Sequence, residues 1–195
     1  MAIAQQQHQH AQAGFSMLEL VVVIIIISIL LTIGISKLMK LQVQAERSAV
    51  ESMVGIMQSA IALTISEHLA KDQLPQIKKY VRSNPMQLLA TEPTNYKGSF
   101  ARRPANLEPA SWWFNTRNRT LYYKVSNIAY FSSNSTEKGV IKFKILAVYV
   151  DKNGSGRFDR GDILKGLRLT PTTSYRWLNE PIDPETYKNE ALPGK

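Results

Sequence analysis

The sequence predicts an α+β fold in which one long N-terminal helix packs on an antiparallel sheet of three or four strands. Residues 15–74 contain no proline and are first apolar and then amphipathic, which favours one continuous helix of about 55 residues. The second half contains short β-branched and aromatic runs between turn-forming residues, which favour strands. An amphipathic helix and a one-sided sheet bury their apolar faces by packing together.

The apolar run near the N-terminus predicts a membrane-spanning segment. Residues 20–35 read LVVVIIIISILLTIGI, and from Met17 onward the only ionisable side chain of the run is Glu19. As a helix, residues 17–35 span about 28 Å, close to the ~30 Å hydrocarbon core of a bilayer. An unpaired carboxylate in lipid is costly. Glu19 therefore either lies at the interface, near the positive end of the helix dipole, or receives a cationic partner from another chain.

Residues 14–19, GFSMLE, together with the apolar run, resemble the processing site of type IV pilins and type II secretion pseudopilins. The resemblance implies that prepilin peptidase cleaves between Gly14 and Phe15 and that the new amine of Phe15 is methylated. It also implies that Glu19 pairs with the Phe15 amine of a neighbouring subunit while an inner-membrane platform assembles the filament. The fold it implies is the pilin-like form of the α+β class.

Residues 1–14 are the leader that this resemblance predicts. They are polar and rich in glutamine, without the apolar core of an ordinary secretory signal. They also lack lysine and arginine, which departs from the usual leader of the family. Cleavage before the apolar run would leave residues 15–36 in the mature protein as the transmembrane and assembly half of the helix.

Residues 37–71 are the predicted amphipathic half of the helix, which anchors a head domain. Apolar and small side chains recur there at steps of three and four. The main stripe of this pattern consists of Leu38, Leu41, Ala45, Ala49, Met53, Ile56, Ala60, Leu63 and Ser66. A second set widens the stripe: Val50, Met57, Ile61 and Ile65.

Residues 72–195 form the predicted head, with a variable loop over 72–118 and the sheet over 119–170. The loop segment contains five prolines and scattered basic residues, with two short helices expected near 76–82 and 85–90. Its aromatic run Trp112–Phe114, close to Arg117 and Arg119, is either a strand that enters the core or a platform for stacking nucleobases. Strands are expected near 120–125, 128–131, 140–150 and 163–170.

The segment between the last two predicted strands matches a calcium-binding loop. Oxygen-bearing side chains occupy the first, third, fifth, ninth and twelfth places, and Gly156 occupies the sixth. The predicted ligands are Asp151, Asn153, Ser155, the backbone carbonyl of Arg157, Asp159 and Asp162. Lys152, Arg157 and Arg160 offset their charge. A hairpin turn stabilised by Asn, Asp and Gly without metal is the alternative. Resemblance to major pseudopilins, which carry calcium in this region, favours calcium.

No constellation of catalytic residues emerges, so the chain is predicted not to be an enzyme. It has no cysteine, and His68 is its only histidine outside the leader. The net charge of +9 fits a basic filament surface, or a surface that attracts anionic lipid or DNA. The predicted protein is a minor pilin or pseudopilin, spanning the inner membrane once with its head in the periplasm. The alternatives are a DNA-binding minor pilin for uptake and a membrane-tethered binding domain that never polymerises.

Overall fold

The computed structural model describes residues 16–182 and confirms the α+β class. The chain divides into two compact units, one up to Leu41 and the other from Gln42 onward. Helix α1 spans Met17–Ala70. The strands are β1 (Tyr96–Phe100), β2 (Ser111–Asn115), β3 (Thr120–Lys124), β4 (Phe131–Ser133), β5 (Val140–Val150), β6 (Ile163–Pro171) and β7 (Tyr175–Trp177). Short 3-10 helices span Leu74–Tyr80, Pro85–Leu88 and Ile128–Tyr130.

In the N-terminal unit, every large apolar side chain of α1 from Met17 to Leu41 is exposed. The three hydroxyl groups of this stretch bond back to carbonyl oxygens one turn earlier: Ser28 to Ile24 at 2.7 Å, Thr32 to Ser28 at 2.9 Å, and Ser36 to Thr32 at 3.1 Å. Such bonds satisfy polar side chains within the helix, as an apolar environment requires. By length and composition, α1 is apolar enough to cross a membrane.

In the second unit, α1 buries a different arc from the predicted main stripe. Val50, Met57 and Ile61 are 0–2% exposed, whereas Ile56 is 50% and Leu63 is 62% exposed. The residues that were expected only to widen the stripe therefore form the centre of the buried face of α1. The prediction that the main stripe forms this centre was wrong. The predicted main stripe carries no charge, whereas the buried arc includes Glu46, so periodicity favoured the wrong arc. Contact with the sheet decides which one is buried.

The main sheet has five strands in the order β1-β2-β3-β5-β6, one more than predicted. All pairs are antiparallel except β1 with β2, which is parallel. Strands β1 and β2 lie within the segment 72–118 that was expected to be a variable loop, so the sheet begins well before residue 119. The sequence of β1, YKGSF, has weak strand character. Pairing with the apolar strand β2 is what makes it a strand.

A small second sheet pairs β4 with β7. The strand expected near 128–131 is instead the 3-10 helix Ile128–Tyr130 followed by β4. Strand β7 lies beyond residue 170, where no strand was expected. Its Trp177 packs edge-on against Phe131, with the ring centres 5.2 Å apart. A pairing between strands more than 40 residues apart leaves no local pattern in the sequence.

Strand β6, which the sequence predicted near 163–170, contains three inward-facing leucines. Leu164, Leu167 and Leu169 are all buried. The first two are three residues apart, an odd spacing that a regular strand would place on opposite faces. The register passes from Tyr149↔Leu164 to Val148↔Gly166, so Lys165 is an extra residue in the strand. This bulge returns Leu167 to the core face.

Glu46 is a buried carboxylate on α1 that joins the helix to the end of β3. Its Oε1 accepts hydrogen bonds from the Tyr123 hydroxyl at 3.0 Å and the Ser126 amide at 2.6 Å. Its Oε2 accepts two from Asn127, from the amide at 3.0 Å and from Nδ2 at 2.7 Å. Burial and then the Glu46 charge raise the pKa of Tyr123, so its hydroxyl remains a donor. Four donors therefore compensate the burial of this charge.

We expect Glu46→Ala to lower the free energy of unfolding by about 3 kcal/mol, because it leaves the buried Tyr123 hydroxyl and the partly buried donors of Ser126 and Asn127 without an acceptor. The matched control is Glu51→Ala on the same helix, which removes an exposed ion pair with Arg47 (2.8 Å) and should therefore cost much less stability. The measurement is urea unfolding of the full chain in detergent, followed by tryptophan fluorescence. Equal losses in the two variants would show that Glu46 does not join helix and sheet.

Candidate functional site

The predicted processing site lies at the start of α1. Gly14 and Phe15 are outside the described residues, so their roles remain predictions. Ser16 is the first described residue, and its Oγ accepts a hydrogen bond from the amide of Glu19 at 3.1 Å. Ser16 thus caps the helix, with Glu19 three residues later, the spacing of a capping box. The Ser-x-x-Glu pattern is a signal for this cap that the sequence analysis did not use.

The Glu19 carboxylate forms no ion pair with any cation among residues 16–182. The next cation along α1 is Lys37, 18 residues away, or roughly 27 Å along the helix. Glu19 lies in the first turn, where the helix dipole favours a negative charge. Any cationic partner of Glu19 therefore lies outside the described residues or in another chain.

The predicted metal loop is the connection between β5 and β6. Asp151 organises its first half: Oδ1 accepts hydrogen bonds from the amides of Asn153, Gly154 and Ser155 at 3.2, 2.8 and 3.3 Å, and Oδ2 from Gly156 at 2.7 Å. The Gly156 amide, followed by those of Gly154, Ser155 and Asn153, lowers the pKa of the Asp151 carboxyl. Gly154 and Gly156 both have φ of +69°, a conformation that glycine adopts without strain.

Three of the predicted ligands lie close together in the second half of the loop. Ser155 Oγ is 2.8 Å from Asp159 Oδ2 and 3.0 Å from the Arg157 carbonyl oxygen. Asn153 faces the same carboxylate through its amide nitrogen, 2.9 and 3.1 Å from the two oxygens. These oxygens are as close to one another as the ligands of one hard cation. Asn153 would have to rotate its amide to present oxygen to that cation.

Asp162 lies apart from that group. It is buried, and its two oxygens accept hydrogen bonds from the amides of Lys152 at 3.1 Å and Asp159 at 3.0 Å. Within residues 16–182, no three acidic or histidine side chains are close enough to share a metal. The donor set is all oxygen, which fits calcium, but each carboxylate also has N–H partners, which fits the metal-free hairpin.

We expect Asp151 to stabilise the head at neutral pH and to lose this effect in acid. Its pKa is lowered in the folded chain from an ordinary value of 3.8, so its contribution is present above that value and disappears as the pH falls through the folded-state pKa. In EDTA, the Tm difference between wild type and Asp151→Asn should therefore shrink from pH 6 to pH 3.

The control for this prediction is Asp72→Asn. Asp72 is exposed and has φ of +53°, which asparagine tolerates. Its Tm difference from wild type should not follow the same pH course. A difference for Asp151→Asn that stays constant down to pH 3 would contradict the stabilising role of the ionised Asp151 carboxylate.

The aromatic run of β2 belongs to the core. Trp112 and Trp113 are each 1% exposed, and Phe114 is 6% exposed. Trp112 packs in the main core toward the helix, whereas Trp113 stacks on Tyr122 on the opposite face of the sheet, 4.9 Å between ring centres. Of the two alternatives for this run, the strand is confirmed, and these rings are not accessible for stacking on nucleobases.

Residues 9–35 match the family model of the prokaryotic N-terminal methylation motif, the hallmark of type IV pilin and pseudopilin precursors. The match covers the predicted cleavage position, Glu19 and the whole apolar run, and it confirms the resemblance noted in the sequence. It supports a precursor of the pilin or pseudopilin kind, a structural rather than an enzymatic class. No curated protein and no solved structure matches the chain.

Proposed function

We propose that the chain is a minor pilin or pseudopilin, a subunit of a type IV pilus or of a type II secretion filament. Prepilin peptidase would remove residues 1–14, and the amine of Phe15 would be methylated. Residues 15–36 would then move from lipid into a bundle of sister helices, and residues 72–195 would form the periplasmic head. The methylation motif at residues 9–35 is the observation that carries this proposal.

Glu19 is an observation in favour of assembly, because it is a charged residue in an apolar helix and has no partner among the described residues. Pairing with the Phe15 amine of a neighbouring subunit would remove the cost of its burial in a helix bundle. The pair would also set the axial register between subunits, since only one offset brings the two groups together. In lipid, position near the interface and the helix dipole would stabilise the carboxylate until a neighbour arrives.

A second support is the exposed arc of α1 in the head unit. Ala45, Ala49, Ser52, Ile56 and Leu63 share one side of the helix, by their spacing, and carry no charge. Ile56 and Leu63 are half exposed or more. Small residues allow close approach of a second helix, and the two larger ones would be buried by it. This arc fits contact between sister subunits beyond the membrane segment.

The absence of cysteine favours a minor pilin or pseudopilin over a major pilin, because the head has no disulfide to close its C-terminal region. The proposed location is the inner membrane before assembly and the filament afterwards. The rival with the same anchor is a tethered binding domain that never polymerises. Cleavage of the leader and the effect of Glu19 substitutions on assembly distinguish the filament subunit from this tethered domain.

The first test of the proposal is the mass of the N-terminal peptide of membrane-extracted protein from cells with active prepilin peptidase. We expect a peptide that begins at Phe15 and carries one added methyl group. An intact leader, or cleavage elsewhere, would contradict processing between Gly14 and Phe15.

We expect Glu19→Ala to reduce the sheared filament fraction at least tenfold, because the Phe15 amine is then left unpaired in an apolar bundle at a cost of about 3 kcal/mol. The amount of protein in the membrane should stay unchanged. The matched control is Glu51→Ala, at an exposed position of the same helix outside the exposed uncharged arc, which should assemble normally. Normal assembly of Glu19→Ala would favour the tethered domain that never polymerises.

We further propose that the β5–β6 loop binds calcium through Asp151, Asn153, Ser155, the Arg157 carbonyl, Asp159 and Asp162. The observation in favour is the closeness of the Ser155, Arg157 and Asp159 oxygens. Asp162 offers a shorter reach than glutamate at the twelfth place, and three basic residues offset the acidic charge. The affinity should therefore be modest, with Kd of about 10⁻⁴ to 10⁻³ M as in extracellular modules.

Calcium at about 5 mM should then stabilise the head by about 1 to 2 kcal/mol, since a ligand that binds only the folded state adds RT ln(1 + [Ca²⁺]/Kd). The measurement is the Tm of the full chain in detergent with calcium, with magnesium and with EDTA. Asp159→Asn should abolish the calcium shift, whereas Asp72→Asn should keep it. An identical Tm in calcium and EDTA would leave the metal-free hairpin as the correct description.

A further inference from the structure

Four arginines follow two neighbouring strands of the head, close to the point where each strand ends. Arg102 and Arg103 follow β1, and Arg117 and Arg119 follow β2. Because β1 and β2 are parallel, their carboxyl ends lie at the same edge of the sheet. The Thr116 amide donates a hydrogen bond to the Phe100 carbonyl at 2.9 Å, which joins the starts of the two turns. We refer to Arg102, Arg103, Arg117 and Arg119 as the arginine corner.

Nothing among residues 16–182 neutralises the arginine corner. All four side chains are exposed, and none of them forms an ion pair with a described residue. Between Glu92 and Glu137 the sequence has one acidic residue, Glu108, and it pairs with Lys97. Like charges gathered without counter-charges repel one another. Their grouping therefore indicates an anionic partner rather than a contribution to stability.

The β2–β3 turn holds its two arginines in a defined conformation. Asn115 Oδ1 accepts hydrogen bonds from the amides of Arg117 at 2.9 Å and Asn118 at 3.2 Å. Asn118 Nδ2 donates to the Tyr122 hydroxyl at 2.5 Å. Arg119 has φ of +51°, a left-handed conformation that usually selects glycine or asparagine. An arginine here makes the turn less stable than glycine would, while it adds a charge at the tip.

Arg103 is held against the sheet. Its guanidinium lies over the ring of Trp113, 5.8 Å from the ring centre. A cation over the face of an indole ring is attracted to it, and this contact limits the freedom of the side chain. Trp113 is itself buried, so Arg103 rests on a rigid surface. The guanidinium group is thus partly ordered before any ligand arrives.

The chemistry of the corner favours phosphate groups, which guanidinium binds through paired hydrogen bonds. Single-stranded nucleic acids bind mainly where exposed aromatic rings stack on the bases. The tryptophans of β2 are 1% exposed and cannot serve this purpose. A duplex presents phosphates outward and keeps its bases stacked inside. We propose that the arginine corner binds the phosphate backbone of double-stranded DNA without sequence preference, independently of filament assembly.

The test is binding of the full chain in detergent to a fluorescent random-sequence duplex, with anisotropy measured across a range of NaCl concentrations. Wild type should show affinity that falls steeply with salt. The corner variant combines Arg102→Gln, Arg117→Gln and Arg119→Asn, with asparagine chosen for the left-handed position. Its affinity should fall at least tenfold. The slope of the logarithm of the binding constant against the logarithm of salt concentration should become less steep by about 2 to 3, because each phosphate contact that is removed takes away about 0.9.

The control variant combines Lys165→Gln, Arg168→Gln and Arg176→Gln, three exposed cations of β6 and β7. It removes the same charge from a different surface and should bind within about twofold of wild type. Equal losses in the two variants would show diffuse attraction to a basic protein and would overturn the proposal. An absence of salt-dependent binding by wild type would also overturn the proposal. Tighter binding of wild type to a single-stranded oligonucleotide of the same length would overturn it too, if the corner variant binds that oligonucleotide equally well.

Discussion

Contact between one arc of α1 and the five-stranded sheet is the constraint on which the head depends. Val50, Met57 and Ile61 are buried in this contact, together with the inward residues of β2, β3, β5 and β6. The sheet covers this arc and leaves Ile56 and Leu63 exposed. The exposed arc carries no charge. The same helix therefore retains an uncharged surface that suits contact with other subunits.

Two glutamates of α1, Glu46 and Glu19, differ in whether the chain itself compensates the charge of the carboxylate. Glu46 is buried but accepts four hydrogen bonds from Tyr123, Ser126 and Asn127, so its charge is compensated within the chain. Glu19 has no compensating cation among the described residues and lies in an apolar segment. The first glutamate contributes to the fold. The second has no such local explanation beyond its place in the first turn of the helix.

Parts of the head could be predicted because their signals are local. The inward residues Ile141, Phe143 and Ile145 of β5 alternate along the strand, and all three are buried. The short helices near Leu74 and Pro85 follow from proline placement. The loop at 151–162 was located by its spacing of oxygen-bearing side chains, although its metal is still a prediction. Strands β1, β4 and β7 were missed because partners distant in sequence stabilise them.

The sequence by itself determined the α+β class, the apolar length of the first helix and the methylation motif, because each rests on composition or on spacing within one segment. Only the tertiary structure decided which arc of α1 is buried, that Glu46 joins helix to sheet, and that Trp112 and Trp113 are core residues. It also decided that β1 and β2 are parallel neighbours, so that the two pairs of arginines, Arg102–Arg103 and Arg117 with Arg119, follow the same edge of the sheet. These outcomes depend on contacts between segments far apart in the chain, and the free energy of such contacts is not encoded in any one of them.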